Sequence, residues 1–203
     1  MNMPGKSILH LALYRTGYHQ ASTQLSEDEQ RCLGRYAGGR TRLVEIGAFE
    51  GASTRILTAA AAPSASVYAI DPFLKGRLGV CWGKPVALRE IRAGKQVNPQ
   101  VRVNLIERFS YEAASEIGGD FDFIFIDGDH SHEGIRRDWN DWGGRVREDG
   151  IMAMHDTRVP SYKPSVQALG SFQYFESTIR LDPRFELIEQ VDSLSILRRR
   201  SSS

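Results

Sequence analysis

Two apolar runs end in clusters of ionisable side chains, and those clusters set the chemistry this sequence can do. Phe121-Asp-Phe-Ile-Phe-Ile126 leads into Asp127-Gly-Asp-His130 and Ser131-His-Glu133, and Gly150-Ile-Met-Ala-Met154 leads into His155-Asp156. A carboxylate beside an imidazole can hold a cation, orient a hydroxyl or take its proton, since an unperturbed imidazole titrates at about 6.5. Open α/β sheets bind ligands outside the carboxyl ends of their strands. If these runs are neighbouring strands, Asp127, His130, His155 and Asp156 reach one point in space, with Asp129 and His132 flanking an acceptor site.

A third constellation binds rather than reacts. Arg42-Leu-Val-Glu-Ile-Gly-Ala-Phe-Glu-Gly51 reads as a short buried strand, a turn with two glycines, and then a helix that ends in the run Ala59 to Ala62. Glycines there let backbone approach a ligand closely, and the N–H groups of the helix start, around Ser53, face it. A dinucleotide turn would carry a glycine where Glu45 stands. A carboxylate at that place repels pyrophosphate and favours a cationic or amine-bearing ligand. Ser66-Val-Tyr-Ala-Ile-Asp71 is a second strand, and Asp71 lies 20 residues past Gly51, the spacing of an acid that accepts ribose hydroxyls.

These sites need a frame, and the rest of the chain supplies one. With 203 residues, 41% of them hydrophobic, one domain over residues 1–203 is expected. A net charge of +1 gives no field for nucleic acid or an anionic membrane. No run reaches transmembrane length. Cys32 and Cys81 are far apart, which excludes a zinc knuckle and a disulfide framework and fits a reducing, cytoplasmic setting. Ile8 to Tyr18 reads as a helix rather than a signal peptide, one that covers a pocket or pairs with a second subunit as a homodimer. Ser26-Glu-Asp-Glu29 is a capping box opening a helix that stops near Gly38-Gly39. Residues 73–85 read as a loop over the site, in which Trp82 either stacks on a substrate or plugs the connection, and Lys75 or Arg77 grips an anion. A helix over residues 86–96 and a strand over 101–106 follow. Ser110 is a candidate helix cap. Ile135, Trp139 and Trp142 share a helix face and belong to the core, whereas Arg136, Arg137, Asp138 and Asp141 read as a solvated face. One helix is expected over Ser165 to Ile179, then a closing hairpin over 185–197 and a frayed tail over 198–203.

Glu45-Ile-Gly-Ala-Phe-Glu-Gly51 resembles the E/D-x-G-x-x-x-G motif of class I S-adenosylmethionine (SAM)-dependent methyltransferases. The segments I-D-G-D-H-S-H-E-G and D-G-I-M-A-M-H-D-T are similar to those of small bacterial O-methyltransferases, several of which act on sugars or natural products. The resemblance covers most of residues 26–197 and implies an α/β, Rossmann-like, mostly parallel seven-stranded sheet with an antiparallel C-terminal hairpin. It also implies a cofactor site built from Glu45, Gly47, Gly51, Ser53, Asp71, Ser110 and Asp127, with Ser110 beside the adenine. In related metal-dependent enzymes two strand ends hold Mg²⁺, and carried over, the ligands are Asp127, His155 and Asp156. His155 stands where those enzymes carry an acid, and Mg²⁺ binds imidazole weakly, so His155 is equally a candidate base.

The expected reaction is in-line transfer of a methyl group from SAM to a hydroxyl of a small molecule or saccharide. His155 or His130 removes the proton, Mg²⁺ on Asp127 and Asp156 acidifies the hydroxyl, or both act. Three alternatives use parts of the same pattern. Glu45 opposes an NAD-dependent oxidoreductase, and the apolar strand before His155-Asp156 opposes a His-Asp phosphohydrolase, whose ligands sit on helices. The third is a SAM-binding partner without catalysis.

Overall fold

The computed structural model describes residues 8–76 and 79–201. Arg77 and the last two serines of the expected tail lie outside the described residues. Seven strands form one sheet in the order β3-β2-β1-β4-β5-β7-β6. They are β1 (Arg42–Ile46), β2 (Ser66–Ile70), β3 (Arg102–Ile106), β4 (Phe121–Ile126), β5 (Val146–Met154), β6 (Phe185–Val191) and β7 (Leu194–Arg199). The first five run parallel, and β7 lies antiparallel between β5 and β6. Right-handed crossovers between parallel strands require long connections. Here α3 (Ala52–Ala60), α4 (Gly83–Val97), α5 (Ser110–Glu116) and α6 (His132–Trp142) fill them. The chain order reverses between β1 and β4, so the crevice of the sheet opens there, above the ends of β1, β2, β4 and β5.

Period-two alternation sorts side chains between two apolar layers. Val44, Ile46, Ile124 and Ile126 face one layer with Ile135, Trp139 and Trp142 of α6. Leu43, Phe123 and Phe125 face the other with Leu33 of α2 (Glu27–Ala37) and Leu57 of α3. Every residue of β4 is buried, as a central parallel strand should be. Each large side chain buried this way stabilises the fold by about 1.5–3 kcal/mol.

The expected α2 capping box is present, with Ser26 Oγ accepting from Glu29 N and Glu29 Oε2 from Ser26 N. Three elements differ from the sequence reading, the first being α4, which starts at Gly83 inside the expected loop over 73–85. Over 165–179 the chain forms a 3-10 turn (Pro164–Ala168) and then the shorter α7 (Gly170–Ser177), because Gly170 meets the start of α6 where no side chain fits. The expected tail also begins too early, since β7 continues to Arg199 in register with Phe185. The first helix, α1 (Ile8–Arg15), rests on α4 through Leu11, Tyr14 and Val86. No helix among the described residues is long and apolar enough to cross a membrane.

Candidate active site

A cavity of about 560 Å³ sits in the crevice at the strand ends. One wall is the glycine turn with Gly47, Ala48, Phe49, Ala52 and Ser53; another is Ile70, Asp71 and Phe73 after β2. Phe109, Ser110 and Tyr111 line it after β3, and Asp127, Gly128, Asp129 and His130 after β4. Four segments distant in sequence meet because each follows a strand of the same parallel set.

Chain packing by itself requires both glycines. A Cβ on Gly47, whose φ is +92°, would lie 2.1 Å from the carbonyl oxygen of Asp127. One on Gly51, with φ of +82°, would lie 2.8 Å from Cα of Ala87. Gly47 thus lets the β1 and β4 turns meet, and Gly51 lets α3 meet α4; only Gly47 also lines the cavity. Phe49 between them holds a φ of +49°, a left-handed conformation unfavourable for an aromatic residue. Asp71 fixes it by accepting from Phe49 N at 2.8 Å with Oδ2 and from Phe73 N at 2.7 Å with Oδ1. Backbone N–H groups therefore orient this carboxylate, and its remaining lone pairs are available to the cavity.

Glu45 departs from its expected place. Alternation turns it toward α3, beneath the turn, where it is fully buried and accepts from Thr54 Oγ1. Its Oε1 has no hydrogen-bond partner among the described residues. Burial pushes its carboxyl up to about 7, against hydrogen bonds from Ser53 and Thr54, with Asp127 and Asp71 adding to the rise. Glu45 does not line the cavity.

Asp127, His130, His155 and Asp156 do come together, as the strand spacing implied. His155 is buried and enclosed by carboxylates: Nδ1 lies 2.9 Å from Asp127 Oδ1, and Nε2 lies 3.5 Å from Glu29 Oε2 and 3.9 Å from Asp156 Oδ1. Burial alone would lower the imidazole, but Asp127, Glu29 and Asp156 outweigh it and raise it to about 10. Glu29, which the sequence marks only as a cap, moves the other way. Burial would raise it, yet His155, Ser193 and the Ser26 N–H hold it down at about 2. Its Oε1 also accepts from Ser193 N at 2.8 Å and Ser193 Oγ at 2.7 Å, tying α2 to the β6–β7 turn. His130 is different: it lines the cavity, partly exposed, with Nε2 3.8 Å from Asp127 Oδ1 and Nδ1 3.8 Å from Asp156 Oδ2.

The expected Mg²⁺ triad of Asp127, His155 and Asp156 is not assembled as a metal site. Nδ1 of His155 is taken by Asp127, its Nε2 is buried 3.5 Å from Glu29 and away from the cavity, and Lys163 Nζ lies 3.1 Å from Asp156 Oδ1. Two side-chain cations already balance these acids. Among the described residues no group of three or more His, Cys, Asp or Glu side chains is arranged to hold a metal. Lys163 carried no sequence signal, because nothing local to residues 160–164 marks a partner seven residues back.

Other expectations resolve by geometry. Trp82 packs against Leu11, Tyr14 and Val86 and plugs the connection. Neither it nor Lys75 lines the cavity. Asp129 is used in the turn, accepting from Ser131 N and Oγ, both at 2.9 Å, while Ser131 caps α6. His132 sets its ring edge-on against Tyr174. Ser110 does not cap α5; its hydroxyl donates to Asp138 Oδ1 at 2.5 Å. Asp138 is therefore buried rather than solvated, and Arg137 stacks over the Tyr111 ring at 3.5 Å from its centroid. The solvated-face reading fails at Asp138, which the helix turns toward Ser110 of α5, and holds for Arg137, which is exposed. Glu50, unremarked in the sequence, is fully buried, accepts from Ser22 N at 2.6 Å and meets His10 Nε2 at 3.0 Å, clasping the N-terminal segment to the glycine turn.

A doubly wound sheet with a glycine turn, an acid after β2 and polar strand ends after β4 and β5 defines the architecture of class I methyltransferases. The methyltransferase domain family model matches residues 44–157, more than half of the chain, and the chain belongs to that family. No curated protein sequence matches the chain at a significant level. Among solved structures it is similar to the O-methyltransferase from Bacillus cereus in complex with S-adenosylhomocysteine (SAH), with a TM-score of 0.66 and 17% identity over 95% of this chain and 90% of that one. A cofactor-bound protein from MTB gives a TM-score of 0.65 at 17% identity over 99% and 92%. A methyltransferase from Geobacter sulfurreducens gives 0.62 at 15% over 98% and 100%. At such identities the likeness is one of fold.

Proposed function

We propose that this chain is a SAM-dependent O-methyltransferase acting on a hydroxyl of a small molecule or saccharide. The observation that carries this reading is the one cavity lined together by the glycine turn, Asp71, Ser110 and Asp127. Asp71 takes the ribose diol, the N–H groups at the start of α3 and the Gly47 turn take the amino-acid end, and Ser110 meets the base. Glu45 supports the floor of the turn from beneath. The SAH in the Bacillus cereus neighbour is consistent with this assignment.

In this reading the methyl carbon passes from the sulfonium to the acceptor oxygen as the C–S bond breaks and a C–O bond forms. The acceptor proton goes to His130, which lines the cavity beside Asp127 and Asp156. His155 is the interior cation that fixes Asp127, a role that suits a fully buried ring outside the cavity better than a base does. The donor set does not fit Mg²⁺, so no step is routed through a metal. The polar lining at Asp129, His130 and Glu133 suits a hydroxylated acceptor. The expected setting is cytoplasmic, and a homodimer would use the α1 side.

Calorimetric titration with SAH, in Mg²⁺ and in EDTA, tests the proposal. Micromolar binding that is indifferent to EDTA is the expected result. Absence of SAH binding in every condition would overturn the methyltransferase reading, and binding that requires Mg²⁺ would overturn the metal-free part alone.

A further inference from the structure

The buried pair Ser110–Asp138 has a property that Ser110 alone would not have. Asp138 comes from α6, is 3% exposed, and receives one hydrogen bond, from Ser110 Oγ at 2.5 Å. No cation pairs with it among the described residues. The neighbouring Arg137 guanidinium is laid over Tyr111, whose ring in turn stacks on Phe109. Its Oδ2 receives no hydrogen bond among the described residues and lies over Gly128, where an added Cβ would come within 3.4 Å of it. Gly128 and Asp138 both line the cavity, and the missing side chain at Gly128 leaves the carboxylate open to it. A carboxylate this buried, with one donor, is costly unless a second donor arrives.

The hydroxyl of Ser110 has committed its proton to Asp138, so it turns only lone pairs to the cavity. The two side chains together form an edge that accepts hydrogen bonds and donates none. Beyond the ribose carboxylate Asp71, the cavity is walled by Ile70, Phe73, Phe109 and Tyr111, which suits a flat base. Of the parts of an adenosyl ligand, the base carries one exocyclic donor, the N6 amine.

We propose that Asp138, with Ser110, is the residue that reads this amine and selects adenine over a base with a carbonyl at the same position. The inference rests on the SAM reading and adds to it the specificity of the base site. A hypoxanthine base would set its O6 against two acceptors and leave the carboxylate unpaired, and sites built to meet a donor reject analogues that lack it.

The test is calorimetric titration of SAH and S-inosylhomocysteine into wild type, Asp138→Asn and Ser110→Ala. Wild type is expected to prefer SAH by about tenfold or more. Asp138→Asn, isosteric and able to present an amide N–H, should bind SAH at least about tenfold more weakly and lose most of the preference. Ser110→Ala reports in the same direction if the aspartate variant does not fold. Equal binding of both ligands by wild type, or an undiminished preference in either folded variant, overturns the assignment. Absence of SAH binding by wild type would instead sink the SAM reading, and this inference with it.

Discussion

Replacing Glu29 by glutamine removes the counter-charge of a cation that has no route to water. The carboxylate of Glu29, 1% exposed, accepts from Ser26 N, Ser193 N and Ser193 Oγ and faces His155 Nε2 at 3.5 Å. Glutamine keeps one oxygen for the Ser193 bonds but points its NH₂ at the Ser26 N–H and the imidazolium, donor against donor. Breaking one side of a buried ion pair costs about 3–5 kcal/mol. A drop of the carboxyl from 4.5 to about 2 corresponds independently to about 3 kcal/mol. Urea unfolding at pH 7 should show a loss of that size. The pH dependence gives a second check. Because the folded carboxyl titrates below its ordinary value, its contribution is present above pH 4.5 and is lost as pH falls toward 2, so wild type and variant converge on acidification. His155, raised from 6.5 to about 10, contributes fully below pH 6.5 and its contribution fades as pH rises through 10. The two shifts describe one interaction and are counted once. A loss below about 1 kcal/mol at neutral pH, or a gap that stays constant between pH 5 and 3, would refute the clamp.

Two further variants probe the cavity wall. Asp71→Ala should weaken SAH binding by about a hundredfold, since a charged acceptor for two hydroxyls is lost and the Phe49 turn loosens with it; unchanged affinity by calorimetry would remove the ribose assignment. Gly47→Ala drives a Cβ to within 2.1 Å of the Asp127 carbonyl oxygen and should destabilise the fold by more than about 3 kcal/mol. A thermal midpoint equal to that of wild type would show that the β1 and β4 turns do not approach each other so closely.

The mostly parallel seven-stranded sheet is what the resemblance to the methyltransferases implies, while the apolar runs and the turn residues between them mark the strands and the closing hairpin. Local pattern carries that information, because alternation, capping and turn residues act within a few positions of one another. The same logic places Asp71, Asp127, His130, His155 and Asp156 at or just past strand ends. What sequence could not decide was which charges meet. Glu29 is 126 residues from His155, Ser110 is 28 from Asp138, and Lys163 reaches back to Asp156 around a turn. Whether an imidazole is a base, a ligand or a fixed cation depends on the partners around both its nitrogens, and those partners arrive from separate elements. Whether a glycine serves a ligand or a neighbouring strand likewise depends on what stands opposite its missing side chain. Spacing along the chain sets which groups reach the crevice; only the packing of α2, α5 and α6 onto the sheet fixed the surroundings that give each its chemistry.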